Sequence, residues 1–163
     1  MSELFGADPF NILPHVIALV VAYALAIPIG WNREQEERSA GLRTFPLVAV
    51  AACGFIQASE SLLADSPEAT ARVLEGLITG MGFIGGGAIL RQEESVKGTA
   101  TAASLWVTGA IGAAVGLGAY DVAVVLTIAT IVTLWVMSPL KKLTKSDAKP
   151  APEPKKAGTR KAA

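Results

Sequence analysis

The sequence predicts an all-α fold, a polytopic membrane helix bundle of five transmembrane helices. Three observations carry that prediction. Apolar stretches of about 20 residues, the length a helix needs to cross a bilayer, recur five times along the 163 residues. Only 17% of the residues are charged against 52% hydrophobic, and mean hydropathy is +0.47, whereas soluble domains carry about a quarter charged residues. Lysines and arginines fall almost entirely on alternate connections between the stretches, the pattern that orients membrane proteins.

The first stretch runs from Ile12 to Trp31. Pro14 sits near its start, where a missing N–H costs little, and Pro28 in its last turn is expected to kink or end it. The second, Phe45 to Leu63, opens with Pro46 in the same tolerated place. It holds Cys53, which has no second cysteine to pair with and reads as a small buried hydrophobe. The third, Ala71 to Leu90, is dense in glycine. The fourth runs from Thr99 to Leu117 and the fifth from Asp121 to Met137. Asp121 suits the N-terminal dipole of that helix, and Pro139 is expected to close it. His15, near the outer start of the first stretch, reads as an interfacial residue.

All but Arg72 of the 14 lysines and arginines fall in three regions: Arg33 to Arg43, Arg91 to Lys97, and the tail from Lys141. Five spans put all three on the cytoplasmic side, with the N-terminus outside and the C-terminus inside. Trp31 and Trp135 then lie at the inner interface and Tyr120 at the outer one. The organisation expected is an extracytoplasmic N-terminus at 1–11, a membrane domain at 12–139 and a disordered basic cytoplasmic tail at 140–163. Residues Met1 to Phe10 carry Glu3 and Asp8 and lack the basic start of a signal peptide. The tail mixes Lys, Ala and Pro without an apolar period. It reads as a solvated positive end or as an attachment to anionic lipid, worth about 1 kcal/mol per basic residue at the surface.

Gly80-Met81-Gly82-Phe83-Ile84-Gly85 matches the spacing of a dinucleotide fingerprint. That fingerprint needs a strand before it, a helix after it and an acidic residue about 20 positions on. Inside an apolar helix the glycines read instead as a packing surface. Gly76 with Gly80, Gly82 with Gly86, and Gly112 with Gly116 have the GxxxG spacing that lets membrane helices approach backbone to backbone, here the third and fourth. The run Gly85-Gly86-Gly87 reads either as more of that surface or as a weak point where a helix opens and offers backbone groups to a ligand.

Ionisable groups inside spans are functional candidates, and Glu75 with Thr79 one turn on is the intramembrane candidate, with Arg72 as a pairing partner. A second candidate is the polar cluster at the cytoplasmic ends of the helices: Asn32, Arg33, Glu34, Arg43, Thr44, Arg91, Lys97, Thr99, Thr101 and Ser104. Arg33 and Arg91 at helix C-termini suit the dipole and can snorkel. With Glu34, Glu93 and Glu94 they can also hold two hairpins together or bind an anion. The loops echo each other, each running from Arg through acidic residues to G-x-x-T, where glycine permits a turn and a hydroxyl can cap a helix. Such an echo would make the first four helices two parallel hairpins, or is a short chance match. No Ser-His-Asp set, HExxH or aspartate pair at metal spacing is present, so no catalytic residue, metal or cofactor is expected.

Ile29-Gly30-Trp31-Asn32-Arg33-Glu34 followed by Ala40-Gly41-Leu42-Arg43-Thr44 resembles the first signature of the MgtC/SapB family of bacterial inner-membrane proteins. Gly80 to Gly87, Lys97 to Trp106 and Gly112 to Tyr120 resemble its second, and the likeness spans roughly Ile27 to Met137. Glu75 stands where the family often has Gln, and Thr99-Ala100-Thr101 where it has a Leu-Thr-Thr run. The resemblance implies a multi-span protein of the bacterial cytoplasmic membrane, tied to low-magnesium adaptation, acid resistance and survival inside host cells. It also implies action by binding other membrane proteins, the ATP synthase among them. The founding members carry a folded cytoplasmic C-terminal domain where this sequence has its short basic tail.

The functional expectation is a non-enzymatic protein of the lipid bilayer, associating through its helices with itself as a homo-oligomer or with other membrane proteins, and binding no nucleic acid. The alternative is a transporter or ion-binding protein for magnesium, protons or another small ion.

Overall fold

The computed structural model describes residues 12–36, 40–59, 66–92 and 95–146. Five helices form: α1 (Ile12–Glu36), α2 (Thr44–Ala58), α3 (Pro67–Gly87), α4 (Thr99–Gly116) and α5 (Tyr120–Ser146). Two short strands, β1 (Leu90–Gln92) and β2 (Ser95–Lys97), pair antiparallel between α3 and α4 with Arg91 opposite Val96. The helical fold is the one expected, and the hairpin is an addition where the sequence suggested only a charged loop. Gly98 follows β2 at φ +87, and a Cβ there would run into the carbonyl oxygen of Ala88. Only glycine fits that turn.

α4 is the axis of the bundle and packs against each of the other four helices. Its buried residues, among them Thr101, Leu105, Thr108, Ile111 and Val115, cover nearly its whole circumference, as expected of a helix apolar all round. α1 meets the bundle along Ala18, Ala22, Ala26 and Gly30, a four-residue spacing of small side chains that keeps one face close to its neighbours. The outside is apolar too: Ile17, Val20 and Trp31 on α1, Phe83 on α3, and Val125, Ile128 and Trp135 on α5 are exposed. An apolar exterior of this extent marks a surface that water does not cover.

Helix ends depart from the sequence expectation at several places. Pro28 neither ends α1 nor stands at its last turn, because the helix continues to Glu36; a proline is tolerated inside membrane helices where neighbours re-satisfy the freed backbone group. Nor does Pro139 close α5, which runs to Ser146 through Leu140, Lys141, Lys142 and Leu143, all good helix formers. The helix therefore crosses the boundary expected at 139/140, while 147–163 and 1–11 lie outside the described residues. α2 stops at Ala58, and the stretch expected to continue it to Leu63 lies outside them from Glu60 on. α3 starts four residues early, at Pro67, because Ser66 accepts a hydrogen bond from the Ala69 N–H at 3.2 Å and Pro67 and Glu68 suit a first turn. Between α4 and α5 the Ala119 N–H reaches the Ala114 carbonyl and the Gly118 N–H that of Val115, with Gly118 at φ +78, a glycine-closed helix end.

Candidate functional site

The first polar loop is built around Glu34. Its carboxylate accepts a hydrogen bond from the Leu42 N–H at 3.1 Å, while the Gly41 carbonyl accepts from Thr44 and Phe45 at 3.0 and 3.1 Å. A Cβ on Gly41 would collide with the Glu34 side chain, and one on Gly30 would press on the Gly41 carbonyl at 3.2 Å. Backbone and carboxylate groups thus start α2. The N-cap positions themselves, Arg43 before α2 and Gly98 before α4, make no side-chain cap bond.

Arg33 does not snorkel. It lies on the buried stripe of α1, three residues after Gly30 and three before the helix end, and is 3% exposed. One Nη donates to Asn32 Oδ1 at 3.3 Å, and its Nε has no hydrogen-bond partner, a costly state for a buried donor. Thr101 and Ser104 are also buried, on α4, and Ser104 donates to the Ala100 carbonyl at 2.7 Å, as Thr108 does to Ser104 at 2.8 Å. Such bonds within one helix let hydroxyls enter an apolar interior. Asn32 and Thr44 are half-buried, and Glu34, Arg43, Lys97 and Thr99 are exposed. The Arg91 side chain, Glu93 and Glu94 lie outside the described residues. Among the described residues no ion pair joins this cluster, and the Glu34 bond closes a loop within one hairpin. The echoed loops also differ in form: α1 continues past Arg33, whereas α3 ends four residues before Arg91, which is on a strand.

Glu75 and Thr79 are exposed on α3, with Thr79 donating to the Glu75 carbonyl at 2.8 Å. Arg72 shares that face and forms no ion pair with Glu75. Among the described residues no group of three or more His, Cys, Asp or Glu is placed to hold a metal ion. The triple glycine is the end of α3, where the Gly85 and Gly86 carbonyls accept from the Ala88 and Ile89 N–H groups at 3.1 Å.

The glycines expected to join the third and fourth helices divide. A Cβ on Gly112 would strike the Ala49 carbonyl and one on Gly116 would meet Ile56, so these two receive α2 and not α3. On α3 only Gly85 faces α4, 3.4 Å from the Ala102 carbonyl; Gly76, Gly80, Gly82, Gly86 and Gly87 meet nothing within 4 Å. The reason is that Met81, with Leu74 and Ile78 nearby, occupies the α3–α4 contact, and a Cβ on Gly109 would lie 2.5 Å from the Met81 methyl.

α2 and α3 stand apart. Between them runs an apolar groove of about 750 Å³, walled by Leu47, Ala51 and Phe55 on one side and Gly76, Gly80 and Ile84 on the other, with Arg43 at one end and Ser59 at the other. Sequence reasoning passed over this groove; the i, i+4 spacing of Leu47, Ala51 and Phe55 was readable, but the gap beside it was not. Trp31 and Trp135 line one shallow pocket with Asn32, Gln35 and Glu36, so these aromatic residues share one end of the bundle.

Gly41, Gly98, Gly112 and Gly116, whose Cβ positions are blocked, fall within the signature stretches, and residues 19–143 match the MgtC family as a whole. This chain belongs to the MgtC family. The protein MgtC of Salmonella typhimurium strain LT2 is 39% identical over 115 residues, covering 71% of this chain and 48% of that protein. The protein MgtC of Brucella abortus is 38% identical over 129 residues, 78% of this chain and 53% of that one. The protein SrpB of Synechococcus elongatus is 34% identical over 128 residues, 71% and 70% of the two chains. The chain spans about half the length of the MgtC relatives it matches. No solved structure matches it. Proteins of the MgtC family are inner-membrane proteins of virulence and adaptation and are not known as enzymes. Two helices here, α1 and α4, are long and apolar enough to cross a membrane, and α2 and the Tyr120–Val136 part of α5 are shorter apolar helices.

Proposed function

We propose that this MgtC-family chain is a multi-pass protein of the bacterial inner membrane, N-terminus outside and C-terminus in the cytoplasm, that acts without catalysis in low-magnesium or acid-stress adaptation. It does so by pressing α3 against a second copy or against a partner membrane complex. One observation carries this reading. α3 packs chiefly on α4 and leaves an outward face of Arg72, Glu75, Gly82 and Gly86, all exposed, with open space over both glycines. Glu75 is eight residues into that helix, about 12 Å along it, where a carboxylate facing lipid is costly. A second helix over this face would cover the carboxylate and use the flat glycine surface. The shared end of Trp31 and Trp135 supports the orientation, since belt tryptophans gather at an interface.

Replacing Gly82 and Gly86 by Leu is expected to abolish self-association or partner co-purification in mild detergent. Unchanged association ends the proposal. Flux of magnesium or protons into liposomes, lost on Glu75→Gln, would turn the reading to transport.

A further inference from the structure

The groove between α2 and α3 is separate from the association face, because Gly76 and Gly80 line it and Gly82 and Gly86 do not. Its dimensions say what can enter. From Arg43 to Ser59 is sixteen residues of helix, about 24 Å, longer than the roughly 15 Å of one bilayer leaflet's hydrocarbon. A groove of about 750 Å³ along that length has room for an extended alkyl chain.

The chemistry of the groove is polarised. Its walls are apolar, and among the described residues Arg43 is the one charged residue lining it. Arg43 is exposed and forms no ion pair among the described residues, and it stands at the positive end of the α2 dipole. Ser59 at the far end is neutral, its hydroxyl donated to the Phe55 carbonyl at 2.8 Å. The α3 wall is open where Gly76 and Gly80 expose helix backbone, with nothing within 4 Å of either Cβ position. A trough that is apolar along its length and cationic at one mouth selects an amphiphile with an anion at one end. Arginine suits a phosphate in that role.

We propose that this groove binds an anionic phospholipid, its phosphate on Arg43 and an acyl chain laid between α2 and α3. The full chain, purified in mild detergent, is offered palmitoyl-oleoyl phosphatidylglycerol or the phosphatidylcholine with the same chains, and retained lipid is counted by native mass spectrometry. Wild type is expected to retain phosphatidylglycerol at least tenfold better. Arg43→Gln, an exposed change that leaves the helices intact, brings the two lipids within about twofold. Ala51→Leu and Gly80→Leu, which fill the groove from opposite walls, lower retention of both lipids. Gly82→Leu, on the association face, leaves retention as in wild type even if it breaks oligomers. The proposal is overturned if Arg43→Gln keeps the preference. It is equally overturned if the filled variants hold lipid like wild type, or if they change only the oligomer mass, which would make the groove a site for a second copy.

Discussion

α3 and α4 are both glycine-bearing helices, and the bundle uses them in opposite ways. In α4, Gly112 and Gly116 are approached so closely, by the Ala49 backbone and by Ile56, that a methyl group has no room, and Gly109 is covered by the flexible end of Met81. In α3, five of the glycines have open space where a side chain would go. Glycine in a helix costs about 0.5–1 kcal/mol relative to alanine. α4 recovers that cost inside the chain through close contact with α2. α3 does not, and its open glycines form the face proposed for association and one wall of the groove.

The comparison breaks first at Gly112. Gly112→Ala puts a methyl group on the Ala49 carbonyl and 2.9 Å from its Cα, and the two helices have to separate. A loss of about 3 kcal/mol, the upper end of overpacking effects, is expected in unfolding of the detergent-solubilised chain. A loss below about 0.5 kcal/mol would show that α2 and α4 are not in close contact, since exposed sites respond at that level.

A smaller effect at a joint outside both helices calibrates the scale. Gly41→Ala displaces the Glu34 carboxylate from the Leu42 N–H and should cost about 1.5 kcal/mol, and Glu34→Ala about 1 kcal/mol, as for a lost hydrogen bond. The double variant is expected to cost less than the sum, because the methyl group then meets no carboxylate; simple additivity would separate the two residues. Smallest is Gly82→Ala on the open face of α3. In detergent dilute enough to keep the chain monomeric it should stabilise by about 0.5 kcal/mol through helix propensity alone. Destabilisation there would mean that α3 is covered within the chain, and the contrast with α4 would fail.

Much of the fold was legible because the bilayer imposes a length and an apolar composition that show in one dimension. The helix starting at Thr99, Asp121 in the first turn of α5 and the buried Cys53 were all readable that way. The candidate site was less legible. Arg33 looked like a terminal arginine reaching for water, yet its spacing from Gly30 and Ala26 turns it into the bundle, and spacing alone does not say which face of an apolar helix is covered. The GxxxG pairs posed the same difficulty, because glycine spacing marks a surface that can be approached without naming what approaches it. Gly112 and Gly116 receive α2, although the neighbour in sequence is α3.

The amino-acid order by itself determined that the chain is a bundle of apolar helices, where most of them begin, and to which family it belongs, because those properties follow from local hydropathy, caps and short motifs. The tertiary structure alone decided that α4 is the axis, that α2 fills its glycine face, that Arg33 is enclosed, and that α2 and α3 part to leave a groove. Those outcomes depend on which apolar face meets which, and side chains of similar hydrophobicity differ there only in shape, which acts when helices touch.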